Sequence, residues 1–363
     1  MPGVYLSYPF CSQKCTYCNF ASGVLPAALE PQYLDAIIAE SVRHNWQWTP
    51  ETVYLGGGTP SRMNPDDLCR LLESIPGRPW LEATMEAAPG GITPELAKAW
   101  IAAGITRVSL GVQSFVESEL RLTGRKHTAA IVSGEIAMLR AAGLDEINVD
   151  LIAGLAAQTE ASWLESLDWV ERLSPPHVSI YMLEVDEDSR LGLEILNNGP
   201  RFGAAQVPND EDTARFYEMA VDRLASLGVH RYEISNFARP GHQSLHNLKY
   251  WNLEPYAGFG ADAHGFDGRM RVQNTDDVRD YIQRIQSSFS AQVEELPSDP
   301  AAERFFVRLR LTGGIEPDPG EWQRHRGTIE QFLADGLLER EGNRLRLTRR
   351  GVLLSNEVFQ EFL

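Results

Sequence analysis

The chain has 363 residues, 43% of them hydrophobic, which is enough for a barrel-sized domain with a smaller unit beside it. A net charge of -17 speaks against a general nucleic-acid surface, which needs a basic face. No apolar run approaches the ~20 residues of a membrane span, the opening MPGVYLSYPF lacks the basic-then-apolar order of a signal peptide, and four cysteines do not make a secreted disulfide framework in a chain of this size.

The expected location is therefore the reducing cytoplasm. In chain order, β-type runs at 4–8, 52–56, 82–86, 107–112, 147–152 and 177–183 alternate with stretches of helical period. The helical stretches are 31–45, 94–103, 129–142 and 161–173, and Gly104 and Gly143 stand where C-terminal caps belong. In the first of them Leu34, Ile37, Ile38 and Val42 are expected to share the buried face. Alternation of this kind implies parallel strands joined by crossovers. The fold class is then α/β, a partial (β/α)6 barrel of TIM-like type over residues 1–225.

The residues at the strand ends are more telling. The cysteine loop, GGGTP, Glu86, Gln113, Asp150 and Glu184 stand at or just after successive strand ends. Ligands of parallel α/β folds bind at those carboxyl ends, so these residues are expected at one mouth. Further on, DEDTARFYEMAVDRLASLG reads as a helix with Phe216, Ala220, Leu224 and Leu227 inward and Gly228 after its end. Residues 226–295 are dense in Gly, aromatics and His and are expected to be irregular, packed on the barrel. Residues 296–363 read helix, helix, hairpin with its turn near Gly342, helix. That is a C-terminal α+β module like a winged helix, and the acidity favours a packing role over DNA binding.

CSQKCTYC holds three of the four cysteines at C-x3-C-x2-C spacing. Thiolates bind zinc and iron–sulfur clusters. A structural zinc site takes four ligands, and no second half is present here. Cys69 lies in the helical DDLCRLLESI, where a buried small hydrophobe is the plainer reading. Three cysteines on a 4Fe–4S cube leave one iron open to an exogenous ligand. The spacing by itself leaves cluster, zinc and redox cysteines all open.

This loop comes after the first strand, carries Tyr17 before its last cysteine, and is succeeded by VYLGGGTPS; in all of this it resembles the signature of radical S-adenosylmethionine proteins. The resemblance implies a 4Fe–4S cluster on Cys11, Cys15 and Cys18 whose open iron is chelated by S-adenosylmethionine. The blocks EAAPGGIT, RVSLGVQSFVESELRLTGRKH, INVDLIAGLAAQT and VSIYMLEVDE further resemble those shared by oxygen-independent coproporphyrinogen III oxidase (HemN) and the heme chaperone HemW. By that resemblance Tyr5, Tyr17, Gly57, Gly58, Thr59, Glu86, Gln113, Arg125 and Asp150 contact S-adenosylmethionine. Hydroxyls need acceptors such as Glu or Asp, and a carboxylate suits an Arg. Ser7, Tyr8, Ala88 and Ala156 depart from the usual His, Ile, Asn and Pro of the family.

Three features favour the chaperone branch. Phe20 stands where the oxidase has a further cysteine, only ten residues precede the cysteine loop, and HNLKYW matches the H-N-x-x-Y-W block typical of HemW. That block implies heme as a ligand, with His246 on the iron, Asn247 beside it, and Tyr250 and Trp251 on the porphyrin plane. Arg239 and Lys249 are expected at the propionates, with His242 and His264 as competing iron ligands. The expected function is a heme chaperone that delivers heme to an acceptor, a respiratory or other hemoprotein. The alternative is a coproporphyrinogen-decarboxylating oxidase; a redox-sensing DNA regulator is disfavoured by the charge. Radical catalysis is left open. The heme block and the S-adenosylmethionine motifs lie far apart in sequence, so they are expected to act independently.

Overall fold

Strands form where β-branched and aromatic runs end in glycine or proline. In the computed structural model, which describes residues 2–287 and 290–362, six of them lie parallel and side by side in chain order. They are β1 (Gly3–Tyr8), β2 (Thr52–Gly57), β3 (Glu82–Ala87), β4 (Arg107–Gln113), β5 (Glu146–Ala153) and β6 (His177–Met182). Helices such as Leu29–Arg43, Pro94–Ala103, Ala129–Ala142 and Glu160–Leu173 supply the crossovers. Gly104 and Gly143 cap two of them in the left-handed conformation, as glycine alone does cheaply.

The period of two along each strand separates two environments. One set of alternate residues, including Val4, Leu6, Val53, Leu55, Val108, Leu110, Ile147, Val149, Val178 and Ile180, is fully buried in the apolar core. The other set carries Tyr5, Thr52, Tyr54, Gly56, Glu82, Thr84, Glu86, Ser109, Gly111, Asn148, Asp150, His177 and Ser179. The barrel interior is therefore polar, and its groups bond chiefly to one another.

The sheet does not close on itself. β7 (His230–Arg231) and β8 (Asn236–Ala238) add antiparallel beyond β6, while β9 (Tyr256–Phe259) pairs parallel with β1. β10 (His264–Phe266), β11 (Met270–Asn274) and β12 (Gln292–Pro297) continue antiparallel from β9. The segment expected to be irregular thus supplies both edges of one twelve-stranded sheet. β7 to β10 have only two to four residues, too few to show a period, and β12 is exposed along its whole length, so no buried face marks it. The first outer helix also corrects an expectation: Tyr33, Leu34, Ile37 and Ser41 are buried and Val42 is 63% exposed. At about 100° per residue Val42 lies about 80° off the Leu34 direction, whereas Ser41 lies about 20° from it.

The helix at Asp210–Ser226 buries Phe216, Ala220 and Leu224 as expected. At the C-terminal end come helices Pro300–Leu309, Pro319–Arg324 and Arg326–Ala334, the hairpin β13 (Leu338–Glu341) and β14 (Arg344–Leu347), and two short helices. Gly342 takes the hairpin turn with φ 63°. Among the described residues no helix is long and apolar enough to cross a membrane.

Candidate functional site

The loop after β1 carries Cys11, Cys15 and Cys18, all half-buried and none in a disulfide. Its backbone is tied down by Cys11 N–H donating to Gly23 O (2.9 Å), Thr16 N–H to Thr123 O (3.3 Å) and Cys18 N–H to Cys15 O (3.3 Å). Burial pushes the Cys18 thiol up, and the neighbouring Cys15 and Cys11 add to this against the Phe20 amide and Lys14. Among the described residues no three His, Cys, Asp or Glu converge on a single ion. Three half-buried thiols on one loop fit a 4Fe–4S cluster, which cysteine thiolates hold. Cys69 is packed from the helix Pro65–Glu73 against the apolar core.

The glycine turn at the end of β2 splints this loop. Gly58 N–H donates to Tyr8 O (2.7 Å) and Thr59 N–H to Phe10 O (3.0 Å). The resemblance implies that Gly58 contacts S-adenosylmethionine. The structure adds a reason for glycine there: a Cβ would stand 2.7 Å from Tyr8 O and 2.8 Å from Phe10 O. Gly57 takes φ 106°, a conformation other residues rarely adopt. Its N–H donates to Glu86 Oε2 (3.1 Å).

The other S-adenosylmethionine candidates form one connected set at the carboxyl ends of the strands. Glu86 Oε1 accepts from Tyr54 OH (3.0 Å), and the Tyr54 ring stacks on Tyr5 at 6.1 Å. Enclosure in the barrel and the nearby Asp150 charge raise the Glu86 carboxyl to about 7. Asp150 is likewise pushed up by burial, although Ser109 and Asn148 donate to it at 3.0 and 2.7 Å. Arg125 donates to Gly111 O (2.7 Å) and reaches Tyr17 and Cys15, linking this set to the cysteine loop. Gln113 has φ 69°, and its Oε1, like Arg125 Nε, is buried without a partner. Orphaned polar atoms among carboxylates and backbone amides fit a polar, charged ligand not present here.

HNLKYW lies in the helix Leu245–Trp251, which closes the barrel at the amino ends of the strands. Glu82, first in β3, accepts from the N–H groups of Leu245 and His246 (3.0 Å each). The His246 side chain is almost wholly buried. Nδ1 bonds Thr52 Oγ1 and Nε2 bonds Tyr250 OH, each at 2.8 Å. Neither nitrogen is open to an iron in this arrangement. Burial and the Lys249 charge lower its pKa to about 3, so the ring is neutral. Asn247, Tyr250 and Trp251 are half-buried.

Of the two expected propionate partners, Lys249 is held by carboxylates and Arg239 is bonded to a hydroxyl. Lys249 is buried in ion pairs with Glu51 (3.2 Å) and Glu254 (3.4 Å), and Arg239 donates to Ser174 Oγ. Arg310 is a further cation beside the block; its guanidinium lies 4.3 Å over the Trp251 ring and 3.9 Å from the buried Glu233. His242 Nδ1 pairs with Glu146 at 2.7 Å, whereas His264 is exposed on β10. Sequence reasoning missed Tyr54, Ser109, Asn148, Ser179 and Arg310. For all but Arg310 a signal existed: polar or hydroxyl-bearing residues at every second position of strands whose other face is wholly apolar.

Known proteins share both the sequence pattern and the fold. The profile of the Radical SAM superfamily matches residues 5–170, and that of the HemN C-terminal domain matches residues 297–354. The heme chaperone HemW of Lactococcus lactis is 32% identical over 99% of this chain and 96% of its own. The heme chaperone HemW of Bacillus subtilis is 32% identical over 100% and 99%, and that of Mycobacterium tuberculosis 34% over 99% and 94%. The structure of coproporphyrinogen III oxidase (HemN) from Escherichia coli, described as a radical SAM enzyme, matches with a TM-score of 0.85. It covers 99% of this chain and 89% of that one at 21% identity, which speaks for the fold alone.

Proposed function

The chain belongs to the HemW family of heme chaperones, built on the radical SAM fold, and from that premise we propose that it binds heme and passes it to an acceptor hemoprotein. The observation that carries this reading is the match to proteins named heme chaperone HemW over nearly the whole length of both chains. Cys11, Cys15 and Cys18 would hold a 4Fe–4S cluster, with S-adenosylmethionine at its open iron. When bound and reduced, that pair supplies one-electron chemistry.

The chain's own residues do the rest. Arg125 offers a cation to a carboxylate, and Glu86 and Asp150 offer acceptors to ammonium and hydroxyl groups. Gly57, Gly58 and Thr59 hold the cysteine loop in register with Glu86. Tyr5, Tyr17 and Gln113 complete the wall of the pocket. For heme, the half-buried faces of Asn247, Tyr250 and Trp251 form the contact surface, and Arg310, over Trp251, would meet a propionate by exchanging its contact with Glu233. Ligation by His246 requires its bond to Tyr250 to open.

The test is anaerobic reconstitution followed by heme titration at the Soret band. The expected result is stoichiometric heme that transfers to an apo-hemoprotein, with binding weakened in His246→Ala and Trp251→Ala. If His264→Ala alone weakens it, the heme lies on the exposed face of β10 and the block assignment fails. Protoporphyrinogen formed from coproporphyrinogen at enzymatic rates overturns the chaperone reading.

A further inference from the structure

The two ligand sites read as separate in sequence are joined by a single side chain. β2 presents Thr52, Tyr54 and Gly56 to the barrel interior, because alternate residues share a face. Thr52 Oγ1 bonds His246 Nδ1 at 2.8 Å. The His246 ring lies against the Tyr54 ring, centroids 5.3 Å apart and planes 30° from parallel. Tyr54 OH donates to Glu86 Oε1 at 3.0 Å, and Glu86 Oε2 receives the Gly57 N–H at 3.1 Å. The phenol is thus a rigid bar with the floor imidazole beside its ring and the pocket carboxylate at its tip.

The bar has little room to tilt. Tyr5 stacks on it with planes 21° from parallel. Two glycines leave space that is already used. A Cβ on Gly3 would stand 3.1 Å from the His246 ring, and one on Gly56 would stand 3.0 Å from both Glu86 Oε1 and the Tyr54 ring. Close packing of this kind transmits a displacement rather than absorbing it.

We infer that His246 and Tyr54 are positioning residues for Glu86, so that the state of the floor histidine sets the affinity of the S-adenosylmethionine pocket. This rests on the assignment of Glu86 to that pocket. Removing the imidazole frees one side of the Tyr54 ring, which tilts and lengthens its bond to Glu86. Coupling between sites is reciprocal, so heme bound through His246 changes S-adenosylmethionine affinity by the same factor as S-adenosylmethionine changes that of heme.

The experiment is a thermodynamic cycle on cluster-reconstituted full-length protein, with S-adenosylmethionine affinity read by anaerobic calorimetry. The variants are Tyr54→Phe, His246→Ala, the pair together, and Thr52→Val, which loosens the imidazole while keeping it. Ile329→Ala, fully buried in the C-terminal module, controls for general loss of stability. Expected are losses of about tenfold for Tyr54→Phe and for His246→Ala, no further loss in the pair, and a smaller loss for Thr52→Val. Wild-type affinity in His246→Ala and Thr52→Val, or fully additive losses in the pair, overturns the coupling. Wild-type affinity in Glu86→Gln overturns the pocket assignment, and the coupling falls with it.

Discussion

Gly58 and Tyr8 meet backbone to backbone: the Gly58 amide donates to the Tyr8 carbonyl at 2.7 Å, just before Pro9 and Phe10 lead into Cys11. The glycine turn after β2 is therefore a support for the cysteine loop. Gly58→Ala forces a Cβ into carbonyl oxygens, an overpacking that costs about 1–3 kcal/mol. It should lower iron content per chain even without S-adenosylmethionine. Full cluster loading in Gly58→Ala, by iron assay and absorbance, would count against the support role.

Replacing Cys11, Cys15 or Cys18 with Ala should abolish cluster absorbance and about four irons per chain. Cys69→Ala, distant in sequence and packed on the apolar core, should keep both. Stoichiometric zinc without iron after anaerobic purification would contradict the cluster.

S-adenosylmethionine affinity should rise with pH across the Glu86 titration. Burial and Asp150 raise that carboxyl from its ordinary value to about 7, so below it the group is largely protonated and loses the charge that makes it a strong acceptor. The sign is that of a raised acid: the proton is held more tightly in the folded protein, and the anion that binds the ligand gains as pH rises. Calorimetry from about one pH unit below that value to about one above it should show the slope, and Glu86→Gln should flatten it.

The floor helix depends on Glu82. Its carboxylate accepts from two helix N–H groups and from Ser244, and lies 3.6 Å from Arg107, which is 3% exposed. Glu82→Ala leaves Arg107 buried with Glu146 at 3.2 Å as its remaining carboxylate, and the Leu245 and His246 N–H groups without their acceptor. Breaking a buried pair of this kind costs about 3–5 kcal/mol. Chemical denaturation should read that loss, and heme binding should fall with it. An unchanged denaturation midpoint would show that the pair contributes nothing.

The outcome for His246 shows where reading along the chain stops. HNLKYW suggested an imidazole free for iron and independent of the distant pocket. In the folded chain both ring nitrogens are bonded, and the ring lies tilted against Tyr54, whose hydroxyl donates to Glu86. A sequence shows which residue types are present but not which of their polar atoms are already satisfied, because partners 194 residues apart, such as Thr52 and His246, meet only after the barrel forms.

The six parallel strands, their crossover helices, the glycine caps and the cysteine spacing arise from local rules, since period, turn chemistry and ligand spacing are properties of neighbours in the chain. So sequence by itself determined the parallel strands and the places of the cysteine loop, Glu86, Gln113 and Asp150 along them. The tertiary structure alone decided that β9 joins β1 to widen the sheet, that a Cβ on Gly58 would meet the Tyr8 and Phe10 carbonyls, and that His246 of the floor helix meets Tyr54. These depend on close approach between segments distant in the chain, and contact distance rather than composition decides whether two such groups bond, collide or couple.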